Sequence, residues 1–149
     1  MEKRQNNLVF DGDLKAIKKF LIIEDDPYSR ELEKALFERA GYTVLVAEDA
    51  EKGIAIAEDE EPDLILLDFQ LPQMSGLQAL ENLKNNHKTR EIPCVFVTAS
   101  ANEDLIEKLK SSAACGYVTK PINTRTFVEQ VIGFAKKHLV TKMRVQRPF

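Results

Sequence analysis

Four short segments of this 149-residue chain carry groups that could do chemistry together. Glu24-Asp25-Asp26 follows the apolar run Phe20–Ile23, and Asp68 follows Leu64–Leu67. Thr98-Ala99-Ser100 follows Ile92–Val97, and Lys120-Pro121 follows Gly116–Thr119. Carboxylates brought close together repel and desolvate one another, and they stay ionised when a cation sits among them. Hard oxygens from acids, backbone carbonyl and water suit Mg²⁺, which accepts one or two direct carboxylates and keeps several waters. Asp68, alone after the most apolar run, is placed to attack phosphorus and form an acyl phosphate. The Thr98 hydroxyl and the Lys120 ammonium are the groups needed to hold the remaining phosphoryl oxygens.

These segments meet only if the elements that carry them share one edge. Five β-like runs are predicted, at Phe20–Ile23, Tyr42–Ala47, Asp63–Leu67, Ile92–Val97 and Gly116–Thr119. The first and third are continuously apolar, as strands covered on both faces are. Helical patterns fill the gaps. Pro27 opens the first, with Leu32, Ala35, Leu36 and Ala40 at helical spacing and Gly41 to end it. The second spans about 50–60 with Ile54 and Ala57 inward and stops at Pro62; the third spans about 76–86 on Leu77, Leu80 and Leu83. The fourth spans about 102–113, capped by Asn102, with Leu105, Ile106 and Leu109 inward. The fifth spans about 123–139, with Phe127, Val131, Ile132 and Ala135 inward.

Strand and helix alternate five times, which implies parallel pairing and right-handed crossovers. The predicted fold is α/β: a five-stranded parallel sheet with five helices on both faces, a flavodoxin-like doubly wound three-layer sandwich. Open sheets of this kind place their sites at the carboxyl ends of the strands, where all four segments fall. A closed eight-stranded barrel needs about 250 residues and is excluded.

Composition bounds the rest. Hydrophobic residues make up 44% and charged residues 30%, ordinary for a globular chain of one domain. The 21 basic and 24 acidic side chains leave a net charge of −3. Residues 1–19 hold +2 of this and 139–149 hold +3, so 20–138 carries −8. The chain is therefore divided as an N-terminal extension (1–19), a domain (20–138) and a basic C-terminal tail (139–149). The net negative charge gives no reason to expect direct nucleic-acid binding. No apolar run nears the ~18 residues of a membrane span, and the N-terminus lacks a signal-peptide core. Cys94 and Cys115 have no metal-ligand spacing and read as reduced structural thiols of a cytoplasmic protein.

The segments Phe20–Pro27, Asp68-Phe69-Gln70-Leu71-Pro72-Gln73-Met74-Ser75-Gly76, Val97-Thr98-Ala99 and Tyr117-Val118-Thr119-Lys120-Pro121, in this order and spacing, resemble a response regulator receiver domain, the phosphoacceptor half of two-component signalling. The resemblance spans about 20–138. It implies that Asp68 is phosphorylated and that Asp25, Asp68 and the backbone carbonyl of Gln70 bind Mg²⁺ directly, with Glu24 acting through a bound water. It implies that Thr98 and Lys120 hold the phosphoryl group, that Lys120–Pro121 is cis, and that Tyr117 is a switch ring following Thr98. Gln70 and Ser100 take the two positions that tune dephosphorylation. Asp26 belongs to the loop and not to the metal pair. Glu24 stands where Asp is also common, and Leu71 replaces the commoner Met, a volume-conserving swap.

The implied function is a phosphorylation switch and not a turnover enzyme. A histidine kinase or histidine phosphotransfer protein donates the phosphoryl group. A downstream protein then reads the face formed by the fourth helix, fifth strand and fifth helix, whose exposed groups include Lys108, Lys110 and Arg125. The resemblance also allows a phosphorylation-dependent dimer. Three alternatives stay open: a receiver fragment of a larger regulator or hybrid kinase, a receiver-like domain that takes no phosphate, and a haloacid-dehalogenase-type phosphatase. Against the last, Gln70 stands where that family has a second Asp.

Overall fold

The computed structural model describes residues 16–100 and 102–146, with 142–146 described by backbone alone. The strands are β1 (Lys19–Ile23), β2 (Thr43–Ala47), β3 (Leu64–Asp68), β4 (Cys94–Thr98) and β5 (Gly116–Thr119). The helices are α1 (Pro27–Arg39), α2 (Ala50–Glu60), α3 (Gly76–Lys84), α4 (Glu103–Lys110) and α5 (Phe127–Gln146). All neighbouring strands are parallel, in the order β2-β1-β3-β4-β5. The predicted doubly wound sandwich is the observed one.

The apolar runs split by parity, because successive strand side chains point to opposite faces. Leu21, Ile23, Ile65, Leu67, Cys94 and Phe96 pack under α2, α3 and α4. Phe20, Ile22, Leu64, Leu66, Val95 and Val97 pack under α1 and α5. Cys94 and Cys115 are neighbours across β4 and β5 (Cys115 N–H to Cys94 carbonyl, 2.9 Å) yet belong to opposite faces, and both are free thiols.

Several boundaries differ from expectation for physical reasons. β3 begins at Leu64 because the Asp63 carboxylate instead accepts the backbone N–H groups of Lys18 and Lys19, at 3.0 and 2.9 Å. It extends to Asp68, which is therefore the last strand residue and not the first loop residue. Pro93 precedes β4, so that strand starts at Cys94. The inward face of α1 is Glu33 and Phe37; Leu32 and Leu36 are half-buried, while Ala35 and Ala40 are exposed. The face follows Phe37, whose ring clusters with Phe20, Tyr42 and Phe127. α3 and α4 are shorter than expected, closed by Asn85 and Ser111.

The last helix is displaced at both ends. Asn123 organises a turn, accepting the Phe127 N–H at its carbonyl (2.9 Å) and the Arg125 N–H at its side chain (2.9 Å), so the helix begins at Phe127. It runs on to Gln146, since 139–146 contains neither Gly nor Pro to stop it. The segment set apart as a tail thus begins inside a helix. The rest of the N-terminal extension, 1–15, and the last three residues lie outside the described residues.

Candidate functional site

Parallel strands bring their carboxyl ends to one edge, and the register places the predicted residues there. Ile23 pairs with Leu67, so Glu24 and Asp68 leave adjacent strands at the same level. Asp68 pairs with Val97 and Thr98 with Thr119, which sets Lys120 one residue beyond. The Lys120 N–H donates to the Thr98 carbonyl at 2.8 Å, and the Lys120–Pro121 peptide is cis, as expected.

Glu24, Asp25 and Asp68 each present a carboxylate oxygen within 4.8 Å of the others. Glu24 and Asp68 are buried (1% and 7% exposed), whereas Asp25 opens to solvent. Lys120 Nζ lies 2.8 Å from Glu24 Oε1 and 3.7 Å from Asp68 Oδ2. Burial raises the Asp68 pKa, and the Glu24 carboxylate beside it raises it further; the Gln70 N–H, which donates to Oδ1 at 3.1 Å, works the other way. Burial opposes the Lys120 charge, but the hydrogen bond to Glu24 and the charges of Asp68 and Glu24 outweigh it, and its pKa is raised. All the offered donors are hard oxygens, two buried and one facing water, which fits a Mg²⁺ ion that keeps part of its hydration.

The Thr98 hydroxyl is fully buried and turned into its own loop. It accepts the Ser100 N–H at 3.2 Å and lies 3.3 Å from the Ser100 carbonyl. The Ser100 hydroxyl in turn accepts from the Asn102 side chain at 3.0 Å, and Asn102 caps α4 as expected. Gln70 has an exposed side chain. Tyr117 is half-buried against the α2–α4 face of the core and also lines a groove of about 490 Å³ between β5 and α5, with Pro121, Gln130 and Phe134. Lys108, Lys110 and Arg125 are exposed. Asp26 caps α1 through the Ser29 N–H at 2.8 Å and stays out of the carboxylate cluster.

Close packing fixes the Asp68 loop. A Cβ on Gly76 would stand 2.7 Å from Phe69 Cα and 2.8 Å from the Asp68 carbonyl oxygen. Only glycine lets the start of α3 approach so closely, and Ser75 and Gln78 close that end with a reciprocal capping box. The Ser75-x-x-Gln78 spacing was a readable sign of this. Two further groups escaped the sequence reading: Arg30, which donates to backbone carbonyls of the first loop, and Glu33, buried beneath it. A charged residue inside a helical repeat gives no sign of pointing inward.

With this geometry in place, the sequence profile of the response regulator receiver domain matches residues 20–132. The chain belongs to the response regulator receiver family. The receiver is 33% identical over 114 residues to the polar-differentiation response regulator DivK of Brucella ovis, covering 76% of this chain and 93% of that one. A CheY-like receiver domain protein from Methanospirillum hungatei is 28% identical, with a TM-score of 0.74 over 85% of this chain and 99% of that one. The receiver domain of sensor histidine kinase PA1611 from Pseudomonas aeruginosa shares the fold at 24% identity (TM-score 0.73, 80% and 98% covered). That structure holds a magnesium ion in its active site cleft. Among the described residues of this receiver, no helix is long and apolar enough to cross a membrane.

Proposed function

We propose that Asp68 accepts a phosphoryl group from a phosphohistidine of a histidine kinase or histidine phosphotransfer protein. The observation that carries this reading is the pairing of Lys120 with both Glu24 and Asp68 inside a cluster of three carboxylates. An Asp68 oxygen forms the new O–P bond as the donor's N–P bond breaks, and the histidine nitrogen keeps the electron pair. Asp25, Asp68 and the Gln70 carbonyl would hold Mg²⁺, with Glu24 acting through water; the bound cation supplies neutralisation of phosphoryl charge. Lys120 shares that task from the other side, and the Thr98 hydroxyl leaves Ser100 to hydrogen-bond a phosphoryl oxygen.

The product adds about −1.5 to −2 charge beside Thr98. Closing of the β4–α4 loop draws Tyr117 inward and changes the face of α4, β5 and α5, which selects a downstream protein or a second copy of the chain. Gln70 and Ser100, which flank the acceptor on two loops, set how fast water removes the group. The chain acts as a switch, catalysing only its own phosphorylation and dephosphorylation, in a cytoplasmic relay.

The test is incubation with Mg²⁺ and acetyl phosphate, followed by intact-mass measurement. One phosphoryl group, acid-stable and base-labile, is expected on the wild type and none on Asp68→Asn. An unmodified wild type would sink the reading. Sustained turnover of a generic phosphate monoester would favour the phosphatase alternative.

A further inference from the structure

The acidic loop after β1 is held by two cations with different tasks. Lys120 makes the ion pairs with the Glu24 and Asp68 carboxylates. Arg30, on the first turn of α1, goes instead to the main chain: its Nη1 donates to the Glu24 carbonyl at 2.9 Å and to the Asp25 carbonyl at 3.3 Å. These two residues are the acids of the carboxylate cluster that follow β1.

The rest of the loop shows what those bonds decide. The Glu24 N–H is tied to the Ala47 carbonyl (3.0 Å), the Asp26 N–H to Glu24 Oε2 (3.1 Å), and the Ser29 N–H to Asp26 Oδ2 (2.8 Å). The N–H side is therefore fixed by β2 and by the loop's own carboxylates. On the carbonyl side, the helix ladder takes up the Asp26 carbonyl, through the Arg30 N–H at 2.9 Å. Glu24 and Asp25 stand before the cap residue and outside that ladder. Arg30 gathers both of their carbonyls with one guanidinium nitrogen. Each carbonyl belongs to the peptide that follows its residue, so holding both limits ψ at Glu24 and Asp25 and with it the path of the loop that carries the two carboxylates.

We infer that Arg30 is a positioning residue for the cation site, clamping the Glu24 and Asp25 carbonyls so that their carboxylates stay converged on Asp68. The inference rests on the Mg²⁺ reading of the cluster given above. Arg30 needs no contact with the ion or the phosphoryl group. Its guanidinium is suited to the task because it spreads its donors over a rigid plane. A lysine reaches less far and offers a single ammonium.

The experiment is calorimetric titration of the apo protein with MgCl₂ for the wild type, Arg30→Ala, Arg30→Lys and Asp25→Asn, with melting curves in EDTA. Loss of an outer group that orients a ligand typically weakens metal binding about 10–100-fold. Arg30→Ala is expected to weaken Mg²⁺ binding about tenfold while melting in EDTA near the wild type, because the bond it loses at Asp25 is exposed and the one at Glu24 only part-buried. Arg30→Lys is expected to fall between the two. Equal Mg²⁺ affinity in Arg30→Ala and the wild type, with Asp25→Asn weakened, overturns the clamp and leaves the metal site standing. A wild type that does not bind Mg²⁺, or an Asp25→Asn that binds as well, overturns the metal reading itself. If Arg30→Ala does not fold in EDTA, Arg30→Lys decides on the same titration: wild-type affinity there overturns the clamp, and weakened affinity in a folded protein supports it.

Discussion

Glu33 is 2% exposed on the inner face of α1, one helical turn before the buried Phe37. Its carboxyl pKa is raised from 4.5 to about 8, first by burial and then by the Glu24 charge, with Lys120 opposing and Asp68 and Asp26 adding to the rise. A raised carboxyl pKa means that the folded chain holds this proton more tightly than the unfolded one. Its stabilising contribution is complete below about pH 4.5 and is lost as pH rises to about 8. Glu33→Gln keeps the shape and removes the ionisation. The variant is expected to unfold in urea with a small advantage at pH 5 and an advantage on the order of 4 kcal/mol at pH 8. A constant difference across that range would show that the Glu33 charge is compensated in the folded state.

The elements deliver these side chains through a few close approaches. At Gly76 the start of α3 presses on Phe69 and the Asp68 carbonyl, both backbone, so an added methyl group cannot be relieved by a side-chain rotation. Gly76→Ala is expected to lower stability by about 1–3 kcal/mol, despite alanine's better helix propensity, and to slow acetyl phosphate labelling by shifting Asp68. Wild-type stability with wild-type labelling would mean that the loop yields at no cost. That β1 and β3 are covered on both faces was legible in the sequence, because Phe20–Ile23 and Leu64–Leu67 are apolar without a break. The α1 face was not: helical spacing suggested Leu32, Ala35, Leu36 and Ala40, and three-dimensional aromatic packing around Phe37 turned it elsewhere. Site residues at strand ends could be read for the same reason that the strands could. Arg30 and Glu33 could not, because what each does depends on which way a helix is rotated.

At the scale of the molecule, the sheet separates two edges with different duties. The net charge of −3 conceals an acidic body, and within it three acids are concentrated at the carboxyl edge beside Lys120. At the amino edge, Asp63 ties down the entry to β1 through the N–H groups of Lys18 and Lys19. On the proposed reading, a phosphoryl group on Asp68 would change charge and hydrogen bonding at the carboxyl edge, where the three acids lie. The proposed switch residue Thr98 would then pass that change toward β5, because its carbonyl accepts the Lys120 N–H at 2.8 Å. Core strands exchange their amides only by large-scale opening, while loops exchange by local opening. Hydrogen exchange with and without beryllofluoride and Mg²⁺ is therefore expected to show slower exchange in the loops after β1, β3 and β4 and around Lys120. The amides of Lys18, Lys19 and the start of β3 are expected to exchange unchanged. Uniform slowing over both edges would mean that the mimic only stabilises the whole fold, and the directed path from Asp68 to the α4–β5–α5 face would have to be given up.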